Sequence, residues 1–407
     1  MKEKQVAVVI GGGAAGFFGA ITCAQHDPNR RVILLEKNKQ VLSKVRISGG
    51  GRCNVTHACF DPQELIKFYP RGGKELRGAF SRFQPKDTIG WFESRGVPLK
   101  AEDDGRMFPV SDSSESIISC LQRQAKACGV ELWIEKGVIG CQKQGKGFRV
   151  ELSDGQTIEC DHLLFACGSS PKAYTLLETL GHRIIPPVPS LFTFNVPNSP
   201  LVPLAGISVS SAKLKIEGFA MEQQGPLLIT HWGFSGPAVL KLSAWGARFL
   251  HEKNYKAVLH VDWLPDLSLE KIQEALSGYR QSHPSRLVSS EAPFSLPKNL
   301  WKALLEIATI PADLRWAAFS KQHLQKVSKT LHASTFQIDG KSTYKEEFVT
   351  CGGIDLKEVD FKTMESKVCS GLYFAGEILD IDGITGGFNF QAAWTTSWIA
   401  GKAIAAH

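Results

Sequence analysis

Apolar residues near the amino terminus are grouped in a pattern that predicts a strand, a helix and a second strand. Val6–Ile10 is a continuous apolar run rich in β-branched residues, as in a buried strand of a parallel sheet. Glycines follow at once, then a helical stretch to about Gln25, and then a second apolar run, Arg31–Leu35, which ends at Glu36. This order predicts a βαβ unit.

Further along, segments of helical and strand periodicity alternate with turns rich in Gly and Pro. They are a helix opened by a capping box at 112–115 and ending near 129, a strand at 162–166, antiparallel strands at 207–216 and 227–231, a mostly helical pattern over 267–331, and a terminal helix over about 389–405. We therefore expect an α/β fold. A discontinuous nucleotide-binding domain, 1–190 and 346–407, would carry a β-rich insert at 191–262 and a helical subdomain at 263–345.

The composition indicates a folded chain with reduced thiols. Of the 407 residues 43% are apolar and 21% are charged, so the chain can bury a large core and is not disordered. The ten cysteines are scattered and form no Cys-x-x-Cys pair, which favours a reducing compartment and gives no support for a zinc site. We expect a cytoplasmic protein without a metal.

An uncharged run near the amino terminus resembles an export signal or a membrane anchor. Val6–Ala24 contains 19 residues and no charge, but five of them are glycines. Each glycine costs about 1 kcal/mol relative to alanine inside a helix. We therefore expect neither a signal peptide nor a membrane span here, and no other stretch is long enough to cross a bilayer.

The first motif with chemical meaning is Gly-x-Gly-x-x-Gly, formed by Gly11, Gly13 and Gly16 between the first strand and its helix. Such glycines permit a tight turn, close approach of the backbone to a pyrophosphate, and close packing of helix on strand. Glu36 follows Gly16 by 20 residues, at the end of the second strand, where a carboxylate can accept hydrogen bonds from ribose hydroxyls. We interpret this unit as a dinucleotide site; the alternative is a glycine-rich structural turn.

A second glycine-rich segment follows the βαβ unit. It reads Ser-Gly-Gly-Gly-Arg-Cys-Asn from Ser48 to Asn54, with Lys44 and Arg46 just before it. Its amides and cations could surround a phosphate or the polar edge of a flavin, although a solvated basic loop would have the same composition.

The third motif lies near the carboxyl terminus. A predicted strand ends in Gly376 and Glu377, and a Gly-Gly-Phe-Asn-Phe-Gln segment opens the terminal helix near Asn389. Glu377 could meet ribityl hydroxyls, and the helix could direct amides at a flavin edge that gains negative charge on reduction. An ordinary strand, turn and helix is the alternative.

Taken together, four motifs resemble those of the YhiN/BaiN-type flavoproteins, also called the aminoacetone oxidase family. They are the Gly-Gly-Gly-Ala-Ala-Gly turn at 11–16, the segment 48–54, Thr-His-Trp-Gly-Phe-Ser-Gly-Pro-Ala at 230–238, and the block 376–391. The resemblance spans nearly the whole chain. It implies non-covalent FAD and a Rossmann-like two-part FAD-binding domain interrupted by a β-barrel-like insert and a small helical subdomain. One departure is Ala-Cys-Gly-Ser at 166–169, where relatives usually have Ala-Thr-Gly-Gly.

The candidate cofactor residues share a place in these motifs or beside them. They are Gly11, Gly13, Ala14, Ala15, Gly16, Glu36, Lys37, Lys44, Ser48, Gly49, Gly50, Gly51, Arg52, Asn54, Val138, Gly376, Glu377, Asp380, Gly387, Phe388, Asn389 and Gln391.

The resemblance implies flavin chemistry on one of several substrates. They are aminoacetone, a steroid-like enone, and a uridine of large-subunit (23S) ribosomal RNA that becomes dihydrouridine. No second Gly-x-Gly-x-x-Gly follows a strand, so NAD(P)H would reach the flavin transiently. Cys53 and His231 are candidate proton donors, and Arg52 is a further candidate catalytic residue; a Cys53–Cys59 redox pair is a less favoured alternative.

Charge distribution favours the RNA substrate. Residues 30–100 hold 15 Lys or Arg and 6 Asp or Glu, a net charge of +9, whereas the whole chain has +7. Residues 263–345 hold 11 and 7, a net charge of +4. Such asymmetry suits a phosphate-rich partner, although a solvated basic face gives the same numbers. Arg71, Lys74 and Arg77 are candidate RNA contacts. A flavin-containing RNA-binding protein without turnover is the alternative from another class.

Overall fold

The fold is described from a computed structural model, which covers residues 5–342 and 349–407. Its strands are β1 Val6–Ile10, β2 Arg31–Leu35, β3 Thr56–His57, β4 Leu99–Ala101, β5 Arg106–Pro109, β6 Glu131–Trp133, β7 Val138–Gln144, β8 Gly147–Leu152, β9 Thr157–Cys160, β10 His162–Phe165, β11 Ile184–Ser190, β12 Thr193–Asn195, β13 Ser208–Ile216, β14 Glu222–Thr230, β15 Gly233–Ser235, β16 Lys256–Asp262, β17 Ser334–Asp339, β18 Lys341–Ser342, β19 Val349–Ile354, β20 Val359–Asp360, β21 Glu365–Ser366 and β22 Leu372–Phe374.

The chain also forms α-helices. They are α1 Ala14–His26, α2 Ser43–Ile47, α3 Pro62–Leu65, α4 Gly73–Phe80, α5 Pro85–Glu93, α6 Ser114–Ala127, α7 Pro171–Thr179, α8 Pro237–Trp245, α9 Ala247–Glu252, α10 Leu269–Ser282, α11 Lys298–Ile307, α12 Lys321–Ala333 and α13 Phe388–Ala405.

The chain divides into two compact units, Met1–Pro189 with Lys345–His407, and Ser190–Tyr344. The predicted β-rich insert, 191–262, falls within the second unit, as do the described residues of the predicted helical subdomain, 263–342. The predicted boundary at 345/346 lies outside the described residues.

In the described part of the first unit, a sheet of seven strands has the order β20-β21-β22-β10-β1-β2-β6. The five strands from β22 to β6 are parallel, with Val8 of β1 opposite Leu163 of β10 and Ile33 of β2. Helices α1 and α13 pack against each other on this unit. The predicted βαβ unit and the α/β class are confirmed by β1, α1 and β2, and the carboxyl ends of parallel strands form the edge where ligands bind in such sheets.

The uncharged run Val6–Ala24 forms a strand, a turn and most of α1. The residues of α1 from Ala15 to Ala24 are buried, because this helix is enclosed by other elements of the unit. Within the described part of the chain, no helix is long and apolar enough to cross a membrane.

The second unit is built on an antiparallel sheet. Its described strands have the order β17-β16-β13-β14-β15-β12-β18. Leu214 and Ile229 of this sheet share one buried apolar cluster with Ile272 of α10, Trp301 of α11 and Val327 of α12. The helices are amphipathic and bury their apolar sides there, so sheet and helices are stabilised by the same core.

Candidate cofactor site

The glycines after β1 differ in what surrounds them. A Cβ on Gly16 would lie 1.8 Å from the Gly11 carbonyl oxygen, and a Cβ on Gly11, whose φ is +111°, would lie 2.6 Å from the Cys167 Cα. These two positions therefore need glycine for packing. Gly13, the N-cap of α1, has no side-chain cap, and a Cβ there would meet nothing within 4 Å. The amino terminus of α1, with Ala14 as its first residue, faces open space that suits an anion.

Glu36 lies beside this turn. Its Oε2 accepts a hydrogen bond from the Gly12 amide at 2.8 Å, and its Oε1 accepts one from the Asn38 amide at 2.9 Å. The Lys136 amide donates to the Glu36 carbonyl at 2.9 Å, which brings the start of β7, with Val138, to the end of β2. The exposed Lys37 follows directly. The fold thus brings Glu36, Lys37 and Val138 to one edge.

The segment Ser48–Asn54 forms a tight turn that contains four left-handed residues. Gly49, Gly50 and Gly51 have φ of +59°, +69° and +85°, and Cys53 also has a positive φ, +63°. A Cβ on Gly50 or Gly51 would meet nothing within 4 Å. Successive amides in such a turn form a concave donor surface for anions.

Arg52 faces carboxylates within the same unit. Its Nη1 lies 2.6 Å from Glu102 Oε1 and 3.5 Å from Asp112 Oδ1, and its guanidinium stacks 4.0 Å from the centre of the Phe108 ring. A phosphate or a substrate carbonyl would therefore compete with two acidic side chains for this residue.

Cys53 does not lie at a surface. Its exposure is 0%, and burial raises the pKa of its thiol to about 12. A substrate cannot contact this sulfur unless the segment Ser48–Asn54 rearranges. The sequence could not show this, because a cysteine beside glycines is equally compatible with an exposed loop. All ten cysteines are free thiols, and among the described residues no cluster of His, Cys, Asp and Glu is placed to hold a metal ion.

Lys44 and Glu377, far apart in sequence, meet. Lys44 Nζ lies 2.5 Å from Glu377 Oε2. Glu377 Oε1 accepts hydrogen bonds from the Thr350 amide at 3.0 Å and from the Ser169 hydroxyl at 3.4 Å. Ser169 is the last residue of Ala-Cys-Gly-Ser, the segment in which this chain departs from its relatives. Its hydroxyl helps to hold Glu377, the carboxylate predicted to bind ribityl hydroxyls. Asp380 accepts from the Gly352 amide at 2.7 Å.

The amino terminus of α13 is fastened to the segment Ser48–Asn54. Its N-cap, Gly387, has a φ of +90°, and a Cβ there would lie 2.5 Å from the Thr56 carbonyl oxygen. With its side-chain amide turned to satisfy both neighbours, Asn54 accepts a hydrogen bond from the Gly387 amide at 3.0 Å through its oxygen and donates to the Thr56 carbonyl at 3.0 Å through its nitrogen. Asn389 holds the preceding turn through two 2.8 Å hydrogen bonds with Gly383.

Gln391 is an internal hydrogen-bonding residue. Its exposure is 0%, and its Oε1 accepts from the hydroxyls of Thr56 at 2.5 Å and Thr88 at 2.9 Å. Its Nε2 donates to Thr395 Oγ1 at 3.0 Å. Asn54 and Gln391, both predicted cofactor residues, therefore hold the segment Ser48–Asn54 and the strand that follows it against α13.

His57 was not singled out from the sequence as a site residue. Its ring lies 4.6 Å from the ring of Phe388, the first residue of α13, and its side chain is partly exposed. Phe388 itself is 2% exposed. The position of His57 three residues after Asn54 was the available signal, but a histidine at that spacing has no distinctive pattern.

The site contains a buried hydroxyl without a partner. Tyr174 of α7 is 5% exposed, and among the described residues its hydroxyl has no hydrogen-bond partner. Burial, with a smaller contribution from Glu377, raises the pKa of this phenol. An unpaired buried hydroxyl indicates a missing polar partner. With the open space at Gly13, Gly50 and Gly51, the residues present fit a dinucleotide flavin.

The remaining predicted residues are placed differently. His231 lies exposed in the turn between β14 and β15 of the second unit. Arg71 is largely buried and pairs through Nε and Nη2 with the fully buried Asp382, so an RNA phosphate would have to displace that carboxylate. Lys74 and Arg77 are exposed on α4 and line a surface depression of about 370 Å³.

Three features place the chain among the Rossmann-type flavoprotein oxidoreductases. They are the parallel sheet, the glycine turn before α1, and the contact of the segment Ser48–Asn54 with the amino terminus of α13. Within this class the chain belongs to the HI0933-like family. The Rossmann-domain model of that family matches residues 5–403. The resemblance stated from the motifs is thereby confirmed.

Named relatives are similar over nearly their whole length. The chain is 31% identical to the ribosomal RNA dihydrouridine synthase of Escherichia coli, with 97% of both chains covered. It is 28% identical to the 3-dehydro-bile acid delta(4,6)-reductase of Clostridium scindens, with 98% of both covered. The crystal structure of a 3-ketosteroid-delta4-(5alpha)-dehydrogenase from Rhodococcus jostii matches with a TM-score of 0.51 at 13% identity, covering 99% of this chain and 97% of that one, which shows a shared fold.

Proposed function

We propose that this chain is an FAD-dependent reductase of a C=C bond conjugated to a carbonyl. The favoured substrate is a uridine of 23S ribosomal RNA, which becomes dihydrouridine, with NAD(P)H as the reductant. The observation that carries the proposal is the convergence of the segment Ser48–Asn54 with the amino terminus of α13 through Asn54 and Gly387. Both relatives support the reaction type, since the name of each describes reduction of an unsaturated substrate.

In this proposal the chain's residues bind and orient FAD. The amides at Gly13 and at Gly50 and Gly51 would hold its phosphates, and Glu36 and Glu377 would accept hydrogen bonds from its hydroxyls. When bound, FAD supplies hydride transfer from NAD(P)H to the substrate.

The reaction also needs a proton donor. Hydride adds to C6 of the uracil, the C5–C6 double bond breaks, and the electron pair left at C5 takes a proton from an acid. We propose His57 for this role within the first unit, because the residue is partly exposed and its ring lies beside the start of α13, whereas the Cys53 sulfur is enclosed. His231 stays a second candidate.

The test combines anaerobic reduction with RNA analysis. NADPH or NADH should bleach the bound flavin, and 23S ribosomal RNA from cells lacking the gene should restore its colour while gaining dihydrouridine. Ribosomal RNA that already carries the modification is the matched control and should leave the flavin reduced.

Two other outcomes favour the alternatives. Hydrogen peroxide formed from aminoacetone, or reoxidation by a steroid enone with no response to RNA, would replace the RNA substrate with a small molecule; the bile acid reductase relative favours the enone. A flavin that no nicotinamide reduces, in a protein that still binds RNA, would indicate a binding protein without turnover.

A further inference from the structure

A chain of aromatic rings runs across the helical part of the second unit. The rings of His283 and Tyr279 stack with centroids 4.2 Å apart and an interplanar angle of 18°. Tyr279 lies 5.2 Å from Trp316, which lies 4.8 Å from Phe319. Phe319 in turn lies 5.8 Å from His323 on α12. This row of aromatic rings therefore joins the carboxyl end of α10 to the amino end of α12.

The ends of this chain are accessible and its middle is fixed. Trp316 and Phe319 are buried, with exposures of 0% and 1%, whereas Tyr279, His283 and His323 are partly exposed. Backbone hydrogen bonds hold the Trp316 segment in place, including one of 2.9 Å from the Trp316 amide to the Arg286 carbonyl. The outer rings are thus presented on a rigid support.

Cations belong to the same helices and connecting segment as the exposed rings. Arg280 and Lys321 are exposed at the two helix ends, and Arg315 donates to the Ser285 carbonyl nearby. The 13 residues of α12 contain three lysines, Lys321, Lys326 and Lys329, and no acidic residue. Glu291 is paired with Arg286 at 2.7 Å and accepts from the Tyr279 hydroxyl at 3.0 Å, so its charge is compensated.

We propose that this region binds single-stranded RNA. The ring-and-lysine surface, made of Tyr279, Arg280, His283, Lys321 and Lys329, would stack an unpaired base on the outer face of His283 and bind phosphates with its cations. Exposed rings among cations recognise single-stranded nucleic acid because every base offers a face for stacking and every nucleotide a negative charge. An acidic protein would satisfy the cations but would leave the stacked ring pair unused. The choice of ribosomal RNA as partner rests on the proposed function.

Two variants test the two kinds of contact separately. Lys321→Glu with Lys329→Glu reverses two charges, and His283→Ala removes the outer ring; none of these three residues belongs to the cofactor site. The matched control is Lys215→Glu with Lys253→Glu, two exposed lysines on β13 and after α9 of the same unit. The holoenzyme is titrated with oligouridylate and with 23S ribosomal RNA over a range of salt, and thermal unfolding verifies that each variant is folded.

The lysine variant should bind RNA at least about tenfold more weakly, and its slope of log affinity against log salt should fall by about 0.7 for each lost phosphate contact. His283→Ala should weaken binding about tenfold with the slope unchanged, because stacking releases no counterions. The control should behave as the parent protein.

The outcomes separate this proposal from the proposed function. Wild-type protein that forms dihydrouridine while both variants bind and modify RNA like the control would overturn the surface and leave the function standing. Weaker RNA binding by both variants, in a protein that forms no dihydrouridine, would support the RNA-binding surface and contradict the proposed function. Equal competition by polyglutamate, with His283→Ala unaffected, would overturn RNA in favour of an acidic protein.

Discussion

At the scale of single residues, burial determines which side chains can take part in chemistry. Cys53 and Gln391 have no accessible surface and make internal contacts, whereas His57 combines partial exposure with a place beside Phe388. Arg71, predicted as an RNA contact, forms an ion pair with the fully buried Asp382.

Replacement of His57 and replacement of Cys53, an acid predicted from the sequence, should therefore give different results. His57→Gln should slow dihydrouridine formation about a hundredfold, the usual contribution of a general acid, while NAD(P)H still reduces the flavin at its normal rate. Cys53→Ala should change both rates less than about tenfold, since a buried thiol held near pKa 12 does not meet the substrate. Rapid-mixing measurements of the two half-reactions make the distinction, and the reverse pattern would restore Cys53 as the acid.

Loss of one partner of the buried ion pair should destabilise the fold. Asp382→Ala leaves the Arg71 guanidinium, whose side chain is 15% exposed, without its carboxylate, and we expect about 3–5 kcal/mol less free energy of unfolding. Glu64→Ala breaks the exposed Lys67–Glu64 pair and should cost less than about 1 kcal/mol. Urea unfolding of both variants measures this difference; equal losses would show that burial is not the cause.

At the scale of elements, helix starts and glycine turns create the cofactor site. The amino termini of α1 and α13 and the segment Ser48–Asn54 all belong to the first unit. Within the Gly-x-Gly-x-x-Gly turn, Gly11 and Gly16 serve packing, and Gly13 leaves room.

Alanine substitutions should separate these two roles. Gly13→Ala should leave thermal stability of the apoprotein unchanged and weaken FAD binding about tenfold or more, because the added methyl group enters open space where we place a phosphate. Gly16→Ala should lower the stability of the apoprotein itself, because its Cβ would collide with the Gly11 carbonyl. Tm and FAD titrations of the two variants are compared, and unchanged FAD affinity in Gly13→Ala would move the phosphate elsewhere.

At the scale of the whole molecule, the net charge of +7 is unevenly distributed along the chain. The basic segment 30–100 lies in the first unit and the basic helical segment in the second. Many of these cations are already paired, as Arg52 is with Glu102 and Arg46 with Glu115, so sequence charge overstates the number available to RNA.

RNA binding and flavin reduction should respond differently to salt. We expect RNA affinity to fall steeply between 50 and 200 mM salt, on the order of a few hundredfold for about six phosphate contacts with single-stranded RNA, whereas the rate of flavin reduction by NAD(P)H should change little. Oligouridylate binding and stopped-flow reduction at matched ionic strengths measure the two responses. A shallow slope for RNA would contradict a phosphate-dominated interface.

The sequence by itself determined the class of fold, the cofactor motifs and the family. Local patterns were sufficient for β1, α1 and β2, because apolar periodicity and glycine spacing follow from contacts between near neighbours in the chain. At the start of α6 the local prediction differs in detail from the structure. The predicted capping box at 112–115 is replaced by a single cap, in which the Ser113 hydroxyl accepts a hydrogen bond from the Glu115 amide.

The tertiary structure alone decided which predicted residues meet and which are enclosed. Lys44 pairs with Glu377 across 333 positions, and Asn54 fastens the start of α13, contacts that no local pattern encodes. The same packing enclosed Cys53 and Gln391, paired Arg71 with Asp382, and placed the helices of 263–345 on the core of the antiparallel sheet. The physical reason is that burial and long-range pairing depend on the whole chain's packing, whereas the sequence shows directly only what neighbouring residues impose on one another.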